Sequence, residues 1–413
     1  MPPTIRPVRD EELSSWFAAF GTAFYIWATD PEASAAARRP SMDLQRTIGA
    51  FENDAIVGTF RTFPTRLTLP GGGRIDVSAV SAVSVRPTHR RRGILRRLIA
   101  DDVQRSVARG DVASVLIAAE WPIYGRFGYG PATWQATWSL RTREANLLVE
   151  PAGSIEIIDR KAAREVLPGV YDRCAASQPG EIERRDSRWD FDLGITEIPG
   201  RPSWKGAIVL HRDPAGAPDG FATFHGEEHW VDMSPDHVML VDDLHAETPE
   251  AELDLWRHLA QMDLTATIRT EHPRRPMEPL KWALSNPRAV QVSGHADFLW
   301  VRIFDVPRFF SERRYAHDGE MVLEITDDVG GAAGPAAGRY RLEVRDGLGT
   351  CEPTDVAPDL TIDIRSLSGA SLGGTRLVDS TRFEPCIEHR AGALARADAL
   401  LLTPDPPWCS TWF

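Results

Sequence analysis

The sequence predicts a mixed α/β fold built from more than one unit, and three observations support this. Apolar stretches that read as strands alternate along the chain with amphipathic stretches that have the periodicity of helices. The 413 residues exceed the usual size of one domain and suit two or three. An apolar content of 42% is sufficient for several hydrophobic cores. We expect three units, over residues 1–148, 149–295 and 296–413.

The first unit combines helices and strands. Leu13, Trp16, Phe17, Phe20 and Phe24 recur on roughly one face, which predicts an early helix over residues 10–25. A second amphipathic stretch is apolar on one side and rich in Arg and Asp on the other. The predicted strands are 55–61, 65–69, 80–85 and 113–118, and the second helix is 94–108.

The second unit repeats the order of the first, so we expect a degenerate internal repeat. Its helices are predicted at 159–174, 184–193 and 250–260, and its strands at 207–211, 220–225 and 238–246. The third unit is strand-rich, with a Gly/Ala-rich turn or loop at 330–338. It begins with the stretch 298–303, its alternating strands are predicted at 321–325, 340–344 and 360–364, and its helices at 366–373 and 386–402.

Charge and cysteine usage narrow the class of protein. A net charge of -12 argues against a nucleic-acid partner and is compatible with a cationic substrate. The four cysteines have no metal-ligand spacing, which favours a reducing, cytoplasmic environment. No apolar run approaches the ~20 residues of a membrane-spanning helix, and the first residues lack the apolar segment of a signal peptide.

The most informative segment joins a strand to a helix through a basic turn. Residues 80–85 form the alternating strand, and three consecutive arginines, Arg90, Arg91 and Arg92, precede Gly93 and the helix that begins at Ile94. Free backbone N–H groups and the positive end of a helix dipole bind phosphate well. Arginines in the same turn add charge-assisted hydrogen bonds to phosphate oxygens. This pattern predicts a phosphate or pyrophosphate site.

The segment resembles the acetyl-coenzyme A motif of the GNAT superfamily of N-acetyltransferases. That consensus is Arg or Gln, two residues, Gly, one residue, then Gly or Ala. Arg90 and Gly93 fit it, whereas Leu95 replaces the last small residue. Within that superfamily, the sequence of residues 87–95 most resembles the enhanced intracellular survival (Eis) family. The resemblance implies tandem GNAT-like domains followed by a sterol-carrier-like C-terminal domain.

The resemblance also implies how acetyl-CoA is held. The strand would splay from its neighbour, and the main chain of Val83 and Val85 would contact the pantetheine arm. The Val83 N–H would polarise the thioester carbonyl. Arg90, Arg91 and Gly93, with the helix start at Ile94, would bind the pyrophosphate. The alternative is a basic surface turn after a core strand.

Two groups are candidates for proton transfer. In the Eis pattern, the tyrosine at the position of Tyr124 is the general acid for the leaving thiolate. Tyr129 is the competing phenol, and both could instead be packing residues. Eis enzymes use the terminal carboxylate of the chain to deprotonate the amine, which here implies Phe413. Alternatively, Trp408, Trp412 and Phe413 only dock the chain end on an apolar surface.

The residues of the implied acceptor pocket depart from the family pattern. Aminoglycoside-acetylating members line it with carboxylates, but the matching positions here are Ile26 beside Trp27, Asp297 and Trp412. Asp297 keeps its charge, and Glu120 precedes the segment of Tyr124. Fewer acids and more indoles favour a less cationic, flatter or more apolar amine, with cation–π contacts from Trp27 or Trp412. These tryptophans could equally be core residues.

A second motif raises the alternative of a zinc site. Residues 225–229 read His-Gly-Glu-Glu-His, which matches an H-x-x-E-H zinc motif. That motif chelates zinc on a helix, where both histidines share a face. Here it lies between two strand-like stretches and contains a glycine. We expect an exposed hairpin and no metal, and we expect His89 to be a turn residue.

The sequence therefore predicts an acetyl-CoA-dependent N-acetyltransferase that acts on a small-molecule amine by direct transfer. Two alternatives stay open: a non-catalytic acyl-CoA or lipid-binding protein, and a peptide or protein lysine acetyltransferase. The resemblance further implies a homo-oligomer, a hexamer, and no second cofactor.

Overall fold

The computed structural model describes residues 2–27, 30–200, 202–272, 274–328, 333–382 and 384–413. Its framework is three β-sheets with helices packed against them. The elements of the first part of the chain are β1 (Thr4–Pro7), α1 (Leu13–Phe24), α2 (Pro31–Arg38), β2 (Thr47–Glu52), β3 (Ala55–Thr68), β4 (Arg74–Val85), α3 (Ile94–Arg109), β5 (Ala113–Ile117), α4 (Trp121–Tyr124), β6 (Gly130–Pro131) and β7 (Trp134–Arg141).

The middle part of the chain contributes a comparable set. Its elements are β8 (Ser154–Ile158), α5 (Arg160–Ser177), α6 (Asp186–Asp192), β9 (Ala207–Arg212), β10 (Pro218–Glu227), β11 (Trp230–Val231), β12 (Ser234–Pro235), β13 (His237–Ala246), α7 (Pro249–Ala260), β14 (Thr265–Thr270), α8 (Leu280–Ala283), β15 (Val290–Asp297) and β16 (Leu299–Ile303). The short strands β11 and β12 pair only with each other.

The first two sheets share one strand order. The first runs β1-β2-β3-β4-β5-β16-β6, and the second runs β8-β9-β10-β13-β14-β7-β15 when read in the matching direction. Each sheet contains one pair of parallel strands joined by a long helix. In the first sheet β4 and β5 are joined by α3, and in the second β13 and β14 are joined by α7. The repeated order confirms the degenerate internal repeat predicted from the sequence.

The two sheets exchange a strand. β16 lies between β5 and β6 in the first sheet, whereas β7 lies between β14 and β15 in the second. The sequence analysis assigned the 298–303 strand to the third unit, and this assignment was wrong. All five residues of β16 are buried, so the strand needs sheet neighbours on both sides. Periodicity identifies such a strand but not its partners. The unit boundaries at 148 and 295 stay a prediction.

The last part of the chain forms a smaller sheet that packs on the first one. Its order is β19-β18-β17-β20-β21. One hydrophobic core joins Phe63, Val77 and Val115 of the first sheet to Leu323 and Leu367 of this part. The elements are α9 (Val306–Glu312), β17 (Gly319–Thr326), β18 (Gly338–Arg345), β19 (Leu348–Pro353), β20 (Leu360–Asp363), α10 (Ile364–Ala370), α11 (Leu377–Ser380), β21 (Cys386–Glu388) and α12 (Ala393–Leu401).

Several predicted boundaries change. The strands predicted at 55–61 and 65–69 are one continuous strand, β3, because Pro64 stays paired with Ser78 of β4. The helix predicted at 386–402 begins at Ala393, since residues 386–388 pair with β20 instead. Of the loop predicted at 330–338, residues 330–332 lie outside the described residues.

Candidate active site

A cavity of about 660 Å³ lies where the strand β4 ends and the helix α3 begins. The C-terminal end of α1 and the short helix α4 form its other walls. It brings together most of the residues singled out in the sequence, although they are up to 41 positions apart (Val83 to Tyr124). Those lining residues are Val83, Val85, Arg90, Arg91, Gly93, Ile94, Glu120 and Tyr124.

The cavity exists because two parallel strands separate. β4 pairs with β5 only from Val77 to Val80, yet β4 continues to Val85. A β-bulge interrupts the pairing of β4 with β3 at the same place, and Ala82 within it has a φ of 50°. A bulge bends the strand and increases its local twist. The end of β4 is thereby turned away from β5.

The bend leaves backbone groups of β4 directed into the gap. The Arg86 N–H donates to the Val57 carbonyl of β3 at 2.9 Å. Because successive residues of a strand direct their backbone groups to opposite edges, those of Val85 point away from β3. That edge is where β5 no longer follows. Val85 and Val83 therefore line the gap that opens between β4 and β5 beyond the end of their pairing at Val80.

The turn before α3 leaves the helix N-terminus open. Gly93 is the N-terminal capping residue, with a φ of 74° and no side chain to bond the first N–H groups. Arg91 also has a positive φ, of 62°. A Cβ atom at Gly93 would meet nothing within 4 Å. Glycine is thus required by the backbone conformation, and the space beside the helix terminus is free for an anion.

The basic residues of the turn divide into two pairs. His89 and Arg92 both bond the carboxylate of Glu52 at the end of β2, His89 through Nε2 at 2.9 Å. The Arg92 guanidinium lowers the pKa of Glu52. Arg90 and Arg91 line the cavity, and neither side chain has a hydrogen bond or ion pair to any described residue. Glu52 was missed in the sequence, since only the β2–β3 pairing brings it to the turn.

The two candidate phenols differ in access. The Tyr129 hydroxyl is buried and bonded to the Ser114 hydroxyl at 2.8 Å. Tyr124 lines the cavity, and its hydroxyl makes no hydrogen bond within the described part of the chain. Burial, helped by the nearby Glu120 carboxylate, raises the pKa of Tyr124 to about 12. At neutral pH this phenol is therefore fully protonated and can only donate its proton.

Three residues predicted to bind the acceptor lie outside this cavity. Trp27 is 70% exposed and contacts Tyr25, which does line the cavity. Asp297 accepts a hydrogen bond from the indole of Trp300. Trp412 packs against Phe298. Further lining residues that were not singled out as site residues lie in or directly after α1, α3 and α4; they include Phe24, Tyr25, Arg96, Ile123 and Arg126.

The end of the chain is held by the second repeat. The Glu181 carboxylate accepts from the Ser410 backbone N–H at 2.9 Å and from its hydroxyl at 2.7 Å. Arg184 donates to the hydroxyls of Ser410 and Thr411. These residues are buried, and Arg188 donates to the Trp412 carbonyl at 2.7 Å, so the tail is held up to its last residue.

The terminal residue itself packs on the first sheet. The Phe413 ring meets the Phe63 ring edge to face, with 5.5 Å between centroids. Phe63 belongs to the core shared with the last part of the chain, whereas Tyr124 belongs to the core beneath α3. The chain end and the cavity thus lie on opposite faces of the first sheet.

The second repeat lacks an open helix terminus. Its long helix, α7, is capped by Thr248, whose side chain accepts from the Ala251 N–H. Glu250 and Glu252 lie in its first turn. The first N–H groups are therefore bonded internally, and negative charge faces any approaching phosphate. This helix cannot replace α3 as an anion site.

No group of side chains within the described residues has the arrangement of a metal site. The His-Gly-Glu-Glu-His string begins at the end of β10 and runs toward the β11–β12 hairpin, off any helix. Its two histidines bond different carboxylates, His225 that of Asp242 and His229 that of Asp236. No described helix is both long and apolar enough to cross a membrane.

Comparison with known proteins gives this arrangement a family. Residues 4–132 and 180–303 each match an acetyltransferase (GNAT) domain, and residues 306–410 match a sterol carrier protein domain. The N-acetyltransferase Eis of Mycobacterium tuberculosis is 31% identical over 361 residues, which are 85% of this chain and 81% of that protein. The chain belongs to the Eis family of N-acetyltransferases.

Two further Eis-type relatives extend over the whole chain. An uncharacterized N-acetyltransferase of Streptomyces griseus is 38% identical over 420 residues, 99% of each protein. The crystal structure of Eis1 from Mycobacterium abscessus superposes with a TM-score of 0.86 at 30% identity, covering 99% of this chain and 100% of that one. The chain is thus an N-acetyltransferase with two GNAT domains and a sterol-carrier-like domain.

Proposed function

We propose that this Eis-family enzyme acetylates a primary amine by direct transfer from acetyl-CoA. The observation that carries the proposal is the grouping, in one cavity, of an open helix terminus, two unpaired arginines, a separated strand and a protonated phenol. Each supplies one requirement of acetyl transfer. Together these four features suit a donor that carries both a thioester and a diphosphate.

Donor binding follows from the turn and the strand. Arg90, Arg91 and the first N–H groups of α3 bind the pyrophosphate, while His89 and Arg92 hold the turn against Glu52. The backbone of Val83 and Val85 binds the pantetheine arm. The Val83 N–H donates to the thioester oxygen, whose negative charge grows as the carbonyl is attacked.

Two groups then manage the protons. The amine nitrogen attacks the thioester carbon, the carbon–sulfur bond breaks, and Tyr124 gives its proton to the departing thiolate. The Phe413 carboxylate, on the opposite face of the first sheet, accepts the proton that the amine loses, so the amine attacks through the gap where β4 and β5 separate. Proton exchange with water restores both groups, and the products are the N-acetylated amine and coenzyme A. No metal is required in this sequence.

The acceptor is a small amine of low positive charge with an apolar or aromatic body. Trp27, Glu120, Asp297 and Trp412 are the proposed acceptor contacts, and two of the four are indoles. Indoles attract a single ammonium group through cation–π contact but cannot neutralise a polycation. We further propose a homo-oligomer, a hexamer as in the family resemblance, which light scattering after size exclusion measures.

The experiment is a thiol-release assay with acetyl-CoA and a panel of amines. We expect release with monoamines that carry an aromatic or aliphatic body, and weaker release with aminoglycosides. Lysine-containing peptides in the panel test the protein acetyltransferase alternative. Binding of coenzyme A without release for any amine would instead support the non-catalytic acyl-CoA-binding alternative.

A further inference from the structure

Two arginines beside the chain end lack a carboxylate partner among the described residues. Arg185, the residue that caps α6, lies with its guanidinium carbon 3.8 Å from the centroid of the Phe63 ring and makes no side-chain hydrogen bond to a described residue. Arg61 of β3 donates only to the Ser41 carbonyl, at 3.0 Å, and its buried Nε has no partner. Phe63 is the ring that Phe413 contacts.

The neighbouring arginines are all paired. Arg66 bonds Glu183 at 3.0 Å, Arg188 bonds Asp192 at 2.7 Å, and Arg184 bonds Asp243. Among these arginines near the chain end, Arg61 and Arg185 are therefore the two without a carboxylate partner. Burial lowers the pKa of Arg61 to about 10 and also lowers the pKa of Arg185. A partly buried cation without a counterion is destabilising, so such a pair indicates a ligand that supplies the negative charge.

Their position is the face of the first sheet opposite α3. Phe60 packs beneath α3, and side chains alternate along a strand, so Arg61 and Phe63 share the other face. Arg61 is paired with Ser81, one residue before the bulge at Ala82. The donor cavity opens on the α3 side. A group held by Arg61 thus lies across the sheet from the donor and two strand positions from Val83.

We propose that Arg61 and Arg185 bind a carboxylate of the acceptor. The acceptor is then a primary amine that also carries a carboxylate and an aromatic or apolar body, as an aromatic α-amino acid does. This inference rests on the proposed function and names its substrate class.

The chemistry of the two side chains suits this ligand. A planar guanidinium offers a fork of donors that matches a carboxylate, and stacking on Phe63 fixes the plane of Arg185. Phe63 is buried beneath Arg185 and Phe413, so the apolar body would contact Phe413, which is only partly buried. The net charge of -12 does not oppose binding, because solvent-exposed charges farther away than about 8 Å are largely screened at physiological ionic strength.

The test compares matched acceptors on the wild-type enzyme. L-Phenylalanine, L-phenylalaninamide and 2-phenylethylamine share the amine and the phenyl body and differ at the carboxylate, and their rates are compared per unprotonated amine because the amide is the weaker base. We expect kcat/KM for phenylalanine to exceed that for the other two by at least about tenfold, as for a charged hydrogen-bonded partner. Equal rates, or faster reaction of the amide or the amine, would overturn the proposal.

Variants assign the preference to the arginines. R185Q and R61Q should reduce the preference for phenylalanine over its amide to within about threefold and leave coenzyme A binding unchanged, whereas R66Q, which removes a paired arginine of the same strand, should retain it. If R185Q instead slows all three acceptors equally, Arg185 serves the terminal carboxylate and the proposal is wrong.

A binding measurement separates this inference from the proposed function. Calorimetry with N-acetyl-L-phenylalanine and its amide probes the arginines without turnover. Tighter binding of the acid than of the amide, lost in R185Q, supports the carboxylate site even if no amine is acetylated. Equal affinities refute it even if acetylation of other amines is observed.

Discussion

At the scale of single residues, local environment separates groups of the same type. Tyr124 and Tyr129 lie 6.0 Å apart between ring centroids, yet one hydroxyl is tied to Ser114 and the other faces the cavity. Arg90 and Arg92 differ in the same way, because Glu52 engages only Arg92. In each pair, the residue left without a protein partner is the one available to a ligand.

Replacing Tyr124 by Phe tests the proposed acid. The ring keeps its packing and only the hydroxyl is lost, so the fold and coenzyme A affinity should persist. We expect kcat to fall by about 10² to 10⁴. A pKa of about 12 means that wild-type Tyr124 stays protonated throughout the neutral range. The pH–rate profile below pH 10 should therefore show no loss assignable to this group.

Y129F is the matched control, since Tyr129 bonds Ser114 rather than facing the cavity. It should lower stability and leave kcat within about threefold. Equal losses of kcat in both variants would remove Tyr124 from the proposed role.

Contiguous motifs were sufficient to single out Tyr124 and Arg90, which both line the cavity, whereas the choice of Tyr124 over Tyr129 as the acid stays a prediction. The choice of Arg91 over Arg92 rested on the family resemblance, and no residue pattern distinguished the two. That distinction depends on Glu52, 40 positions before Arg92, which approaches the turn only after β2 and β3 have paired. Long-range partners of this kind leave no local pattern.

At the scale of elements, the helices α3 and α7 occupy equivalent positions in the two repeats, but only α3 has an N-terminus open to an anion. α3 begins at a glycine that leaves its terminus open, whereas α7 begins at Thr248 with acids in its first turn. Helix α3 also carries a buried acid, Asp102, on its core side. Its Oδ2 has no hydrogen-bond partner among the described residues.

Asp102 should make stability depend on pH. Burial, as the main cause, raises its pKa to about 7, above the ~3.9 of an unfolded chain. Between these values the folded state binds more protons, so this group's contribution to stability falls as pH rises. The three-unit difference corresponds to about 4 kcal/mol. We expect D102N to be more stable than wild type at pH 7.5 and close to it at pH 4.

Chemical denaturation at both pH values measures this difference, with D101N as the control on the same helix, since Asp101 is bonded to Arg105 near the surface. If the difference in unfolding free energy between D102N and wild type were the same at both pH values, the raised pKa of Asp102 would be contradicted.

Most elements were predictable from periodicity, because amphipathic helices and buried strands have distinct repeats. The strand β7 was missed, although its residues 134–141 alternate in burial. The exchange of β7 and β16 was not predictable, since both read as ordinary strands. Pairing across about 150 to 190 residues is decided by tertiary packing.

At the scale of the whole molecule, the second repeat has lost its anion site but holds the chain end. Glu181 and Arg184 bind Ser410 and Thr411, and the last residue reaches the face of the first sheet opposite the donor cavity. In the proposed mechanism, each repeat thereby has a role in one reaction. The resemblance to Eis proteins suggested the role of the terminus, but the side chains that hold it were not visible in the sequence.

Extending the chain by two residues, Gly-Ser after Phe413, tests the terminal carboxylate. The extension moves the charge away while the contacts of residues 408–411 are kept. We expect kcat to fall at least about tenfold with coenzyme A affinity unchanged. The same extension at the N-terminus serves as the control. Full activity of the C-terminally extended enzyme would exclude Phe413 as the base.

The proposed binding of coenzyme A at the turn before α3 is the basis of every other assignment. Calorimetric titration of coenzyme A tests this binding most directly. We expect wild-type enzyme to bind with one site per chain and R90Q/R91Q to bind at least about tenfold more weakly. The control R97Q/R105Q changes the net charge equally on α3, away from the cavity lining, and should bind as wild type. Absence of binding to wild type, or undiminished binding to R90Q/R91Q, would contradict the central claim.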